Sequence, residues 1–207
     1  MNETVVLLHG IFRTSRSMRG LEKYLSGKNY QVININYPST HHPLEELVKI
    51  IHKQIPQSSI VHFVGYSLGA LLIRAYLAKY RPENLGRVVM YGPPNKGSEV
   101  ADFLKNFLLY KKLYGPAGQQ LITKQNAIAH IFAPVDYELG IIAGNRTIDP
   151  ICYFILPRPN DGKVSIISTK LDGMKEHIVI PATHTFFPQN KKAWELTYKF
   201  LKIGSFA

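Results

Sequence analysis

The pentapeptide Gly65-Tyr66-Ser67-Leu68-Gly69 stands between a β-branched, apolar run, Ser59–Val64, and an apolar run of helical length, Leu68–Tyr80. No other feature constrains the fold as much. A strand–GxSxG–helix unit is a sharp turn that holds its serine at an unfavourable backbone angle and exposes the hydroxyl. Strand and helix can close on that turn only if the residues two positions either side of the serine are small, and Gly65 and Gly69 meet this need. The start of the helix then lies beside Ser67, where its unpaired N–H groups favour developing negative charge. The five residues alone would be a weak signal, and the flanks give them their weight.

The surrounding pattern fits a doubly wound sheet. Thr4–Leu8, Gln31–Tyr37, Ile60–Val64 and Arg87–Tyr91 read as strands, the first an unbroken apolar run of the kind buried on both faces. Helices are expected between them. One runs from about Ser17, a candidate cap, to Ser26; one is opened by Pro43 and closed by Pro56; one is Leu68–Tyr80. The order β-α-β-α-β-α-β predicts an α/β fold with a mostly parallel sheet and helices on both faces. After residue 92 the pattern loosens, and about 45 residues pass before the next clear strand, Leu139–Ala143. Within that stretch residues 98–114 carry an amphipathic helical pattern, and the insertion at 98–137 has room for a small lid. Ile151–Leu156 is an apolar run of either type, followed by the turn Pro157–Gly162 and the segments Val164–Thr169 and His177–Ile180. Asn190–Leu201 is a last helix, with Trp194, Tyr198 and Leu201 on its core-facing stripe. We expect one domain over the 207 residues.

Composition excludes several classes. The single cysteine, Cys152, forbids an intrachain disulfide and, set in an apolar run, reads as a buried inert thiol. No apolar stretch approaches the ~18 residues of a membrane span, and the first ten residues read as a strand rather than a signal peptide, which points to a cytoplasmic protein unless another export route serves it. The formal net charge of +11 attracts anionic surfaces such as lipid headgroups. No nucleic-acid-binding motif accompanies it.

A serine at such a turn needs a base, an acid that orients the base, and donors for an oxyanion. In this architecture the chain order is serine, acid, histidine. Of His130, His177 and His184, the last lies beyond a strand end and before the final helix, at the sheet edge where catalytic groups gather, so His184 is the first choice and His177 the second. Among Asp136, Glu138, Asp149, Asp161, Asp172 and Glu176, Asp161 leads the acids, ahead of Asp149 and Asp172, because Asn160 and Gly162 let its loop turn sharply and present the carboxylate. The oxyanion donors should be the N–H of Leu68 and one from the loop after the first strand, Ile11 by preference and Phe12 as second choice. His9 reads as a brace for that loop.

Together these features resemble the α/β-hydrolase fold family, and within it the small bacterial lipases and esterases with a minimal sheet. The marks are Val5–Gly10, Asn34–Pro38, Gly65–Gly69, Gly92–Ser98, and Pro159–Val164 followed by His184. The resemblance implies Ser67 as nucleophile, Asp161 as acid and His184 as base, in agreement with the spacing. It implies a cofactor-free, metal-free hydrolase that cleaves carboxylic esters through an acyl-enzyme. Acyl esters, lipids among them, are the expected substrates, with peripheral contact to an anionic membrane and no nucleic acid as partner. Two alternatives use other features: an acyl thioesterase or acyltransferase working with the same three residues, and a non-catalytic membrane- or partner-binding module resting on the charge and the 98–114 face.

Overall fold

The computed structural model describes residues 3–56, 60–97, 115–118, 120, 131–149 and 156–207. The amphipathic pattern at 98–114, His130 and Cys152 with its apolar neighbours 151–155 lie outside them. Six strands form one sheet: β1 (Thr4–Leu8), β2 (Gln31–Ile35), β3 (Val61–Tyr66), β4 (Leu85–Tyr91), β5 (Leu139–Gly144) and β6 (Glu176–Ile180). Their spatial order is β2-β1-β3-β4-β5-β6, and every neighbouring pair is parallel. The helices are α1 (Arg19–Ser26), α2 (Leu44–His52), α3 (Leu68–Tyr80), the single turn α4 (Ile166–Thr169) and α5 (Lys191–Ile203). None among the described residues is long and apolar enough to cross a membrane.

Alternation along the strands builds two cores. Val6 and Leu8 of β1, with Phe63, Val88, Met90 and Ile141, face α2 and α3. Val5 and Leu7, with Val64, Val89, Tyr91 and Ile142, face α1 and α5 through Leu21, Leu25 and Phe200. The period of two in β1 therefore serves both faces, and the run reads as continuously apolar because neither face meets water.

The boundaries depart from the sequence expectation at informative places. β3 extends two residues beyond Val64, so Tyr66 ends the strand and Ser67 follows with no intervening loop. β2 stops at Ile35, and Tyr37 turns inward to be buried beyond the strand end. Ser17 does not cap α1. It sits inside a 3-10 turn, Ser15–Met18, where its hydroxyl donates to the Thr14 carbonyl at 2.8 Å. Asn190 does cap α5, accepting from the Ala193 N–H at 3.1 Å.

This strand order positions the site. From β1 the chain moves outward to β2, then returns across β1 to β3. The strand order reverses between β1 and β3, and the C-terminal ends of strands at such a switch point are where open α/β sheets bind ligands. Ser67 and the loop after β1 meet there.

Candidate active site

Ser67 has φ +55° and ψ −118°, a sparsely populated conformation for a residue with a side chain. Its neighbours enforce it. A Cβ on Gly69 would meet the carbonyl oxygens of Leu8 and His9, the latter at 2.6 Å, and one on Gly65 would lie 2.7 Å from the Ala70 Cα. These are backbone and helix-core contacts with no room to shift, so β1, β3 and α3 approach only because both residues lack side chains. Ser67 occupies the cap position of α3, yet its hydroxyl makes no capping bond. It turns instead to His184, whose Nε2 lies 3.0 Å from Oγ.

His184 arrives from the loop after β6, and its Nδ1 lies 2.7 Å from Asp161 Oδ2. The carboxylate is acceptor-only when ionised, so Nδ1 carries the proton and Nε2 is left to accept from the serine. Asp161 is fixed in turn. Its Oδ1 accepts from the N–H groups of Lys163 at 3.0 Å and Val164 at 2.8 Å, which aims Oδ2 at the imidazole. Asn160 Oδ1 accepts from the Gly162 N–H at 3.0 Å, and Gly162 has φ +94°, as the tight turn requires. The backbones of the two loops are tied by the His184 N–H donating to the Asp161 carbonyl at 2.8 Å. All three residues are buried, with Ser67 at 7%, His184 at 8% and Asp161 at 3% exposure. The structure thus brings together Ser67, His184 and Asp161, three residues far apart in the chain. Such a chain can draw a proton from a hydroxyl and stabilise the imidazolium that results.

The loop after β1 lies against the serine. A Cβ on Gly10 would be 3.3 Å from Ser67 Cβ. Gly10–Arg13 is a turn closed by the Arg13 N–H donating to the Gly10 carbonyl at 3.2 Å, with Phe12 at φ +57°. Among the described residues none accepts the Ile11 N–H, and the Leu68 N–H, first in α3, has no intrahelical acceptor. His9 is the brace expected: it stacks on Tyr37 at 4.1 Å, donates from Nδ1 to the Gly10 carbonyl at 2.9 Å, and accepts the Tyr37 N–H on Nε2 at 3.4 Å. Burial holds its pKa below the ordinary histidine value.

The other candidates lie elsewhere. His177 bonds Thr169 Oγ1 at 2.9 Å beside α4, and Asp149 pairs with Lys163 at 3.0 Å. Glu138 is engaged by Arg87 and Lys175 at the opposite sheet edge. Among the described residues no group of three or more His, Cys, Asp or Glu is arranged to hold a metal ion.

Three contributors were not singled out from the sequence. The Tyr66 hydroxyl donates to the His184 carbonyl at 2.7 Å, and burial drives its pKa far above the ordinary phenol value. Gly92 backs the Asp161–His184 pair. Arg74 of α3 donates to Asn95 Oδ1 at 3.2 Å, and Asn95 donates to the Thr169 carbonyl at 2.7 Å, so the serine's helix, the loop after β4 and α4 are linked. Only Gly92 left a local signal, as the first residue of the Gly-Pro-Pro stop after β4.

Comparison with known proteins agrees with this fold. A family model described as the alpha/beta hydrolase fold matches residues 3–114. Among solved structures, the mature lipase BlEst2 of Bacillus licheniformis superposes with a TM-score of 0.75 at 17% identity, over 98% of this chain and 91% of that one. A metagenomic carboxyl esterase gives 0.69 at 18% identity, over 88% and 64%. The type II thioesterase BorB of the borrelidin biosynthetic cluster gives 0.62 at 12% identity, over 98% and 92%. At these identities the likeness is one of fold.

Proposed function

The chain belongs to the α/β-hydrolase fold family, and we propose that it is a serine hydrolase of carboxylic esters. The observation that carries this reading is the continuous hydrogen-bonded chain from Ser67 through His184 to Asp161, set on a strained turn at the switch point of the sheet.

Ser67 Oγ attacks the acyl carbonyl while His184 Nε2 takes its proton. The tetrahedral oxyanion accepts from the N–H groups of Leu68 and Ile11, with Phe12 as the second choice of donor. His184 then protonates the leaving alkoxide, and the acyl group stays on Ser67. Water enters, gives its proton to His184 and attacks the acyl-enzyme; the acid leaves and Ser67 recovers its hydrogen. Asp161 keeps Nδ1 protonated and offsets the imidazolium charge in both halves. The lipase and esterase folds to which the chain is similar support an acyl ester as substrate, lipid esters included. Acyl thioesters are the second reading, supported by the likeness to a thioesterase. The net charge of +11 adds peripheral contact with an anionic membrane to the proposal.

The test is turnover of soluble short-chain 4-nitrophenyl esters and matched acyl thioesters by wild-type, Ser67→Ala and His184→Ala proteins. We expect hydrolysis that falls by roughly 10⁴-fold or more in kcat in either variant. Turnover unchanged in Ser67→Ala would refute the reading.

A further inference from the structure

We propose that the C-terminal edge of the sheet, the face that holds Ser67, docks on an anionic phospholipid surface. The inference gives the membrane part of the reading above its residues and its geometry, and it rests on that part alone.

Charge is divided between the two ends of the sheet. In the described segments that lead into strands, or open them, lie Glu3, Glu83, Asp136, Glu138, Asp172 and Glu176. In the described loops that leave the strands there are two carboxylates. Asp149 is paired with Lys163, and Asp161 is buried against His184. The same loops expose Arg13, Lys96 and Arg146. The exposed cations at the Ser67 end thus meet no free carboxylate among those described loops, whereas at the other end Arg81 is paired with Asp136, and Arg87 and Lys175 with Glu138.

Apolar exposure falls on the same end. Six large apolar side chains are exposed among the described residues, and three of them, Phe12 at 48%, Ile148 at 65% and Phe186 at 60%, belong to loops leaving β1, β5 and β6. Each loop also touches the site. Phe12 is two residues from Gly10, whose backbone packs on Ser67. Phe186 is two residues after His184. Ile148 follows Thr147, whose Oγ1 would be 2.8 Å from a Cβ on Gly162, beside Asp161. Arg13 bridges two of these loops, with Nη2 at 3.5 Å from the Thr185 carbonyl. Apolar side chains and cations exposed on loops at one end of the sheet suit a bilayer interface, where aromatic rings sit at headgroup depth and arginines meet anionic headgroups. A nucleic acid would use the cations but leave Ile148 and Phe186 without a partner.

The experiment uses full-length Ser67→Ala protein, so that lipid is not consumed, in co-sedimentation with phosphatidylcholine vesicles alone or doped with phosphatidylglycerol. We expect binding to the doped vesicles only. The Ile148→Ser/Phe186→Ser pair and the Arg13→Gln/Arg146→Gln pair should each weaken it by about tenfold or more. With Ser67 restored, the Ile148→Ser/Phe186→Ser protein should hydrolyse a soluble ester at the wild-type rate, which shows that it is folded. Equal binding to undoped vesicles, binding unchanged in both pairs, or displacement by a single-stranded oligonucleotide would overturn the surface. The two proposals fail separately: vesicle binding without ester turnover removes the hydrolase and keeps the surface, and turnover without binding does the reverse.

Discussion

Gly92 lies directly behind the Asp161 carboxylate: a Cβ at residue 92 would sit 2.9 Å from Oδ2 and 3.1 Å from His184 Nδ1, and its φ is +49°. The end of β4 therefore sets how far the acid and the imidazole can recede from the serine. Gly92→Ala should push the pair out of line as well as strain the backbone. We predict a loss of roughly 100-fold in kcat for a soluble ester with KM little changed. A variant with wild-type kcat would show that the pair has slack.

Arg74 is a buried cation with an incomplete set of partners. It is 8% exposed, its guanidinium lies 4.0 Å from the Phe132 ring centre, its Nε has no hydrogen-bond acceptor, and no carboxylate among the described residues pairs with it. Burial lowers its pKa. Its removal spares a desolvation cost, so Arg74→Met should leave stability unchanged or raise it by about 1 kcal/mol in urea titration. Turnover should still fall, on the order of tenfold, because Asn95 loses its tie to α3. Destabilisation by several kcal/mol would show that the cation is a net stabiliser.

Two buried histidines set an acid limit on the fold. His9 and His62 each accept a backbone N–H on one ring nitrogen, from Tyr37 and Arg87 respectively, and burial lowers both pKa values, with Glu3 only partly opposing it at His62. The unfolded chain then takes up protons that the native state refuses. The stability contributed is complete above the unfolded value of about 6.5 and is lost as pH falls below it. The urea midpoint should fall between about pH 7 and pH 5, with a slope of at most about 1.4 kcal/mol per pH unit for each histidine. His62→Gln should flatten that slope; an unchanged slope would remove His62 from the account.

How much of this was written in the sequence depends on range. The turn at Ser67 was legible because its requirements are local: two glycines and two apolar flanks. The parallel sheet with helices on both faces followed from the alternation of strands and helices, since β-α-β crossovers leave few topologies; its strand order was read only from the structure. Asp161 and His184 stood out because an Asn-Asp-Gly turn and a histidine just past a strand each have local marks. Tyr66 and Arg74 did not, and Gly92 showed only as the start of the Gly-Pro-Pro stop after β4, with nothing to mark its place behind Asp161. What they do depends on which loops lie above them, and that is fixed only when β4 settles between β3 and β5. Ser17 misled for a related reason: a cap and a 3-10 turn use the same short hydroxyl, and the choice was made by the loop's packing against β2, where Asn36 Oδ1 takes the Ser15 N–H at 3.1 Å.

The most direct test of the account is whether Ser67 is chemically activated by the two residues behind it. Wild-type protein, Ser67→Ala and Asp161→Asn should be treated with a fluorophosphonate probe and the labelled peptide mapped by mass spectrometry. We predict a single adduct on Ser67, absent in Ser67→Ala and formed far more slowly in Asp161→Asn, where the imidazole loses the carboxylate that fixes its tautomer. Labelling of folded protein at another residue, or at Ser67 with the same rate in Asp161→Asn, would contradict the account.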